Sequence, residues 1–407
     1  MKKIGIYNPY LQTKGGGERM SLALAETLAA DDTSEVFLVT HSNTDLDMLA
    51  KYFDLDLHKL KLKIIRTDNL FLKLVARLHL PSMARNFFFD TTTLRALKKE
   101  KFDVFVNSCY HSNMPSPSPN GVYLCMFPQT LENNDVTIGF VKRMYLDTMR
   151  VVNRVFMHPR HKYPTDTYKL VISISEFTKS YVKKLWHRSG PILYPVCEDM
   201  KQKNQLSKQK IILHVGRFFE NAGNNHHKRQ DMLIESFANL KDLHKDGWEL
   251  HFVGSVAEDV GALKYILELM KNAQGLPIHF HFNSSFGELK DLYNKATIYW
   301  HATGFGSDID ESPERQEHFG ISTVEAMSTG TIPIVINTAG QKEIITNGGD
   351  GYLWDTQDEL ITQTRLVAGM ENAERKKISN NAEDSAKRFN ATSFRRRVLE
   401  IFSNLDN

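Results

Sequence analysis

The chain has 407 residues, a formal net charge of +3, 41% hydrophobic residues and 24% charged residues. At about 100–200 residues per domain, that length predicts two or three domains, and the balance excludes a disordered or low-complexity chain. No run reaches the roughly 18–20 apolar residues that span a bilayer.

Met1 to Pro9 lacks the apolar stretch of a signal peptide. The three cysteines, Cys109, Cys125 and Cys197, are widely spaced. They make neither a disulfide framework nor a zinc site, and are expected to be small buried residues in a reducing cytoplasm. Charge is uneven along the chain. Leu57 to Lys101 and Phe140 to Gly190 each carry 11 Lys/Arg against three acids, so each is +8 and the remainder is −13. Attraction to an anionic partner would act through those two stretches.

The first predicted strand is Ile4 to Tyr7, followed by Gly15-Gly16-Gly17 and a helix with Met20, Leu22, Ala23, Leu24 and Leu28 on one broad face. Glu35 to Thr40 completes a strand–helix–strand unit, and further strands are expected at Val104–Val106, Val122–Leu124 and Leu170–Ser173. The alternation predicts a parallel sheet covered on both faces, a Rossmann-like domain over residues 1–196. Residues 197–210 are polar and are expected to form a linker. The pattern then restarts with strand Ile211–Val215, helix Met232–Leu240 and strand Leu250–Val253. Strands at Ile278–Phe282, Ile298–Trp300 and Thr331–Ile336 follow. A second Rossmann-like domain is therefore expected over 211–390, with a C-terminal helix at 391–407 returning to the first. The fold class is α/β: two doubly wound domains, expected to face a central cleft at the carboxyl ends of their strands.

The segment Glu317-His318-Phe319-Gly320-Ile321-Ser322-Thr323-Val324-Glu325 carries the clearest chemistry. Gly320 has the backbone freedom that lets the chain approach a ligand closely, and a helix starts just after it. The unpaired N–H groups at that helix start suit a diphosphate. Two glutamates eight apart flank this turn. With 48 acids in 407 residues the spacing alone carries little; the context carries it. The whole segment resembles the E-x7-E signature of the family 4 retaining glycosyltransferases, which have the GT-B fold. Tyr299 to Gly306 and Gly216-Arg217-Phe218-Phe219 through Lys228-Arg229-Gln230 resemble a bacterial polysaccharide-type branch of it.

By that resemblance Glu325 binds the nucleotide ribose, Glu317 the donor sugar, and Arg217 with Lys228 the diphosphate. Phe319, Gly320, Ile321 and His301 line the donor, and Gly16 with Gly17 forms the first-domain glycine loop. The resemblance implies a hexosyl transfer from a nucleotide sugar to a glycan or lipid-linked glycan, with no cofactor and no metal. Preorganised cations and amides suit the charge that develops on a departing diphosphate. The family often has a histidine in a Cys-His-Phe-Pro-like segment, but here Cys125-Met126-Phe127-Pro128 has Met126 in its place; His111 is the nearest substitute.

Plainer readings exist for each residue: solvated acids, a surface Arg217, a glycine turn, a core His301, and a polar loop at His226-His227. Gly15–Gly17 also fails the G-x-G-x-x-G dinucleotide pattern, with Met20 at the third glycine place. The mixed apolar and basic stretch Asn69–Leu80, followed by Phe87-Phe88-Phe89, is expected either as an internal helix or as a surface resting on anionic lipid. Nucleic acid is not an expected partner, since no binding motif accompanies the charge. Location in the cytoplasm, on the inner face of the membrane, follows as an expectation. A sugar-nucleotide epimerase and a non-catalytic partner subunit are the alternative functions.

Overall fold

A computed structural model describes the chain except residues 14, 42, 66–73, 76, 79, 132–138, 204–205, 220–226, 258 and 406–407. It divides into two compact units, Met1–Tyr194 with Phe394–Asn407, and Pro195–Ser393.

The first unit has a parallel sheet of β1 (Lys2–Tyr7), β2 (Ser34–Thr40), β3 (Lys61–Ile64), β4 (Val104–Asn107), β5 (Asn120–Cys125) and β6 (Leu170–Ser173). Their spatial order is β3-β2-β1-β4-β5-β6. The central strands carry apolar runs because helices cover both faces; Val104, Phe105 and Val106 of β4 are fully buried. β3 was not expected. Its Lys-Leu-Lys-Ile sequence reads as polar, yet it pairs with β2 in register Phe37↔Lys61 to Thr40↔Ile64, and an edge strand tolerates lysines.

The second unit repeats the plan with β7 (Gln209–Val215), β8 (Glu249–Gly254), β9 (Ile278–Phe282), β10 (Ala296–His301), β11 (Ile332–Ile336) and β12 (Tyr352–Trp354). The order is β12-β11-β10-β7-β8-β9, all parallel. Trp248, Trp300 and Trp354 anchor a core shared with Phe218, Phe237 and Phe252. In both units the order reverses beside the first strand, between β1 and β4 and between β7 and β10. Ligands of doubly wound sheets bind at the carboxyl ends there.

The break between units falls at Tyr194/Pro195, and residues 197–210 are not a free linker. Cys197 N donates to Phe389 O, Met200 N to Ser328 Oγ and Gln202 N to Asn294 Oδ1. Lys208 Nζ reaches Tyr293 O and Thr331 Oγ1. Polar composition misleads here, because these backbone groups find partners on the second unit itself. The helix Ala391–Ser403 has most of its length in the first unit, where Arg395 pairs with Glu26 and Arg397 donates to Ile192 O.

Cys109, Cys125 and Cys197 are buried, and none forms a disulfide among the described residues. Among the described residues no helix is long and apolar enough to cross a membrane. Much of Asn69–Leu80 lies outside the described residues; Phe87–Phe89 belong to the helix Ser82–Glu100.

Candidate functional site

In the second unit the reversal point is flanked by the ends of β7 and β10. β7 runs into Gly216 and Arg217, and β10 ends at His301. Along β10, Tyr299 and His301 are two apart and share one face, while Trp300 points into the core. Both side chains on that face reach the E-x7-E segment. Tyr299 Oη donates to Ser322 Oγ at 2.7 Å, and His301 Nε2 lies 3.2 Å from Glu317 Oε2. One strand face thus holds the lead-in and the first turn of the helix Ile321–Ser328.

Glu317 Oε2 also accepts from Lys228 Nζ at 2.7 Å. Lys228 sits on the loop entering the helix Gln230–Ala238. A Cβ at Gly216 would lie 3.0 Å from Lys228 Cγ, so glycine lets the lysine stem pass against the end of β7. Arg229 adopts a left-handed backbone (φ 55°) as the helix cap. Its guanidinium donates to Phe305 O and Asp231, and holds the loop after β10. The backbone of Glu317 is itself tied down, since Gly340 N donates to Glu317 O at 3.0 Å.

Gly320 caps the helix Ile321–Ser328 at φ +121°, a region that L side chains rarely adopt. A Cβ there would sit 2.4 Å from Gln341 Nε2. Phe319 is buried, edge-on to Phe389 at 5.1 Å. Glu325 is the fifth helical residue, one turn beyond Ile321 and on the same side. Tyr293 Oη donates to Glu325 Oε2 at 3.1 Å, and burial pushes the Tyr293 hydroxyl well above its usual pKa, so it stays a donor.

His301 is buried, and desolvation pushes its pKa down against the pull of Glu317. Its Nε2 is the ring nitrogen that faces the carboxylate. Beside it His214 is fully buried, bonds Trp300 O through Nδ1, and is pushed down to about 3 by burial. The structure thus joins Lys228, His301 and Glu317 in one network. Glu325 stands on the adjacent helical turn with Tyr293. Arg217 is exposed and makes no hydrogen bond or ion pair through its side chain to a described residue. His226 lies outside the described residues; His227 packs edge-on to Tyr265 at 5.2 Å.

In the first unit, the glycine loop follows β1 and the His111 loop follows β4, so both flank that unit's own reversal point. Gly15 N donates to Glu18 Oε2, closing the start of the helix Gly16–Ala29. Met126 lies over Gly17: a Cβ on Gly17 would be 2.7 Å from Met126 Cε. His111 is exposed and stacks on Tyr110 with centroids 4.2 Å apart. A residue that the sequence does not single out is Asp90, on the helix Ser82–Glu100. Burial pushes its carboxyl up to about 7, and its charge is felt by Tyr7, Tyr10 and Cys109. An aspartate following three phenylalanines gives no local signal of this.

Residues 197–385 match the family model of glycosyl transferases group 1. That match spans nearly all of the second unit. The second unit is a group 1 glycosyl transferase domain.

Relatives place the group 1 domain in wider company. The chain is 26% identical over 243 residues to the GDP-Man:Man(3)GlcNAc(2)-PP-Dol alpha-1,2-mannosyltransferase of Xenopus laevis, covering 55% of this chain and 46% of that protein. The protein of the same name in Dictyostelium discoideum is 22% identical over 461 aligned positions, covering 99% of this chain and 85% of that one. The chain therefore spans about half the length of the Xenopus relative. Among solved structures, Anabaena Alr3699/HepE in complex with UDP and glucose matches with a TM-score of 0.63 at 14% identity, covering 99% and 100% of the two chains. A glycosyltransferase from Rickettsia africae matches at 0.65 and 16%, covering 99% and 98%. The two units thus share the GT-B fold of these glycosyltransferases, with the group 1 domain as its second half.

Proposed function

We propose that this chain is a retaining, metal-independent glycosyltransferase that moves a hexosyl group from a nucleotide sugar to a glycan or lipid-linked glycan. The observation that carries the reading is the meeting of Lys228, His301 and Glu317 at the reversal point of a group 1 glycosyl transferase domain. The lipid-linked acceptor is supported by the names of the mannosyltransferase relatives.

In this reading Glu325 takes the ribose hydroxyls, with Tyr293 holding its carboxylate in place. The N-terminus of the helix Ile321–Ser328 and the Phe319–Ile321 backbone face the donor. Lys228 and the exposed Arg217 stabilise the charge that builds on the leaving diphosphate, so that cations of the chain serve where a metal would otherwise. His301 is a positioning residue: buried and neutral, it donates to Glu317 and turns that carboxylate toward the sugar. The acceptor attacks on the face from which the diphosphate leaves, and the departing oxygen takes the acceptor proton. Gly16 and Gly17 bind substrate as the glycine loop of the first unit, and His111 stands in for the family's first-domain histidine near the reacting carbon.

The protein is proposed to work at the cytoplasmic face of a membrane. The helix Phe140–Met157 supports this: Phe140, Val141, Met144, Val151, Val155 and Phe156 are all more than half exposed, and Lys142, Arg143, Arg150 and Arg154 lie among them. Apolar anchors interleaved with cations suit an anionic lipid surface.

A thermal-shift screen of nucleotide sugars followed by transfer assays tests the function. A stabilising donor that is consumed only when a glycan acceptor is added supports it. Turnover of that donor without acceptor would instead identify an epimerase, and stabilisation by no nucleotide sugar would refute the reading.

A further inference from the structure

A second cluster lies at the other end of the same sheet. β8 and β9 run parallel with His251 paired opposite His279, and β9 is the edge strand. Residues two apart on a strand share a face. Glu249 and His251 on β8, with His279 and His281 on β9, therefore form a staggered two-by-two grid on one face, while Leu250 and Phe252 enter the core on the other. The grid starts at the first residue of β8, away from the carboxyl ends that hold Lys228 and Glu317.

Glu249 Oε2 lies 3.1 Å from His251 Nε2 and 3.6 Å from His279 Nε2. One donor atom from each of these three residues lies within 4.8 Å of the others. Tetrahedral ligation with bonds of about 2.0–2.1 Å requires donor atoms about 3.3 Å apart, and the two separations from Glu249 Oε2 bracket that value. His251 Nδ1 lies 3.0 Å from His281 Nε2. When His251 ligates through Nε2, its Nδ1–H is left to donate to His281, the outer hydrogen bond that orients ligating histidines.

We propose that Glu249, His251 and His279 bind one zinc ion, with His281 orienting His251 and a water completing the shell. Two imidazoles and a carboxylate suit zinc over magnesium or calcium, which favour oxygen-only shells. The ion bridges the edge strand to its neighbour. It pins the register of a strand that has a partner on one side only.

The competing arrangement is a hydrogen-bonded relay from His281 through His251 to Glu249, which needs no ion and leaves His279 outside it. Zinc titration of the untagged full chain by calorimetry separates the two, with cobalt(II) absorption as a second readout. The expected result is one zinc per chain, an intense tetrahedral cobalt spectrum, and a melting temperature that rises with zinc. His279→Ala alters an exposed side chain, so the fold survives; it should weaken zinc binding by at least about 10-fold and remove the melting shift. His281→Ala should weaken it by about 10-fold, and His58→Ala, an exposed histidine of the other unit, should change nothing. Equal zinc affinity in His279→Ala and the parent chain would overturn the proposal. So would no uptake by the parent, which would leave a hydrogen-bonded relay only.

Discussion

Lys228 Nζ stands 2.7 Å from Glu317 Oε2, and the same oxygen takes the His301 imidazole at 3.2 Å. The cation and carboxylate are 89 positions apart in the chain. Each side chain is about one-fifth exposed, so the pair is open to a ligand yet held in one geometry. A diphosphate entering beside it can take Lys228 as a partner without first ordering a loose side chain, and such preorganisation is what lowers a transition state.

Removing that cation should therefore act on the chemical step. Lys228→Ala is expected to lower kcat by about 10²-fold or more, and Glu317→Gln to lower it comparably, with a smaller effect on the donor KM. Steady-state kinetics with the donor found by screening checks this. Unchanged kcat in Lys228→Ala would refute the leaving-group role.

Glu325 should act on binding. If Glu325 accepts from the ribose hydroxyls as proposed, Glu325→Ala should weaken nucleotide-sugar affinity by about 10-fold, the worth of one charge-assisted hydrogen bond. Calorimetry with the intact donor measures it. Tyr293→Phe, which removes the hydroxyl holding the carboxylate, should have a smaller effect in the same direction.

Gly320→Ala should injure both stability and turnover. Its φ of +121° strains any L side chain, and a Cβ position 2.4 Å from Gln341 Nε2 also forces that buried glutamine to shift. A cost of roughly 1–3 kcal/mol is expected from the backbone alone, a drop of several degrees in melting temperature for a unit of this size. A Gly320→Ala protein that melts and turns over like the parent would contradict the geometry.

Acid should destabilise the second unit through His214 and His301. Both have folded pKa values pushed down by burial, His214 to about 3. Below the unfolded value near about 6.5 the unfolded chain binds the extra protons. The His214 contribution is thus fully present above about pH 6.5 and falls as pH drops toward about 3, by about 1.4 kcal/mol per pH unit; His301 acts in the same direction. His214→Asn keeps a donor for Trp300 O and should flatten melting temperature against pH across that window; an unchanged slope would remove His214 from the account.

The helix Phe140–Met157 gives a test of membrane docking. Flotation with anionic liposomes should capture the protein at low salt, and Phe140→Asp with Phe156→Asp should release it. Added salt should weaken capture through the same helix, because screening reduces the attraction of its basic residues. No capture at low salt would count against a membrane role.

Short-range physics writes part of this protein into neighbouring residues. Strand and helix periods place two Rossmann-like units, and Gly320 followed by a helical run places an anion-suited turn between two glutamates. Pairing across distance is not written that way. The polar stretch 197–210 read as a linker because composition does not reveal that Met200 N and Gln202 N find Ser328 and Asn294. β3 and β12 are too short or too charged to show an apolar run. Lys228 meets Glu317, Met126 covers Gly17, and His251 meets His279 only once parallel strands are ordered and set in register. Those contacts are decided by chain reversal and sheet order, because a side chain's partner depends on which strand lies beside it and not on its own neighbours in sequence.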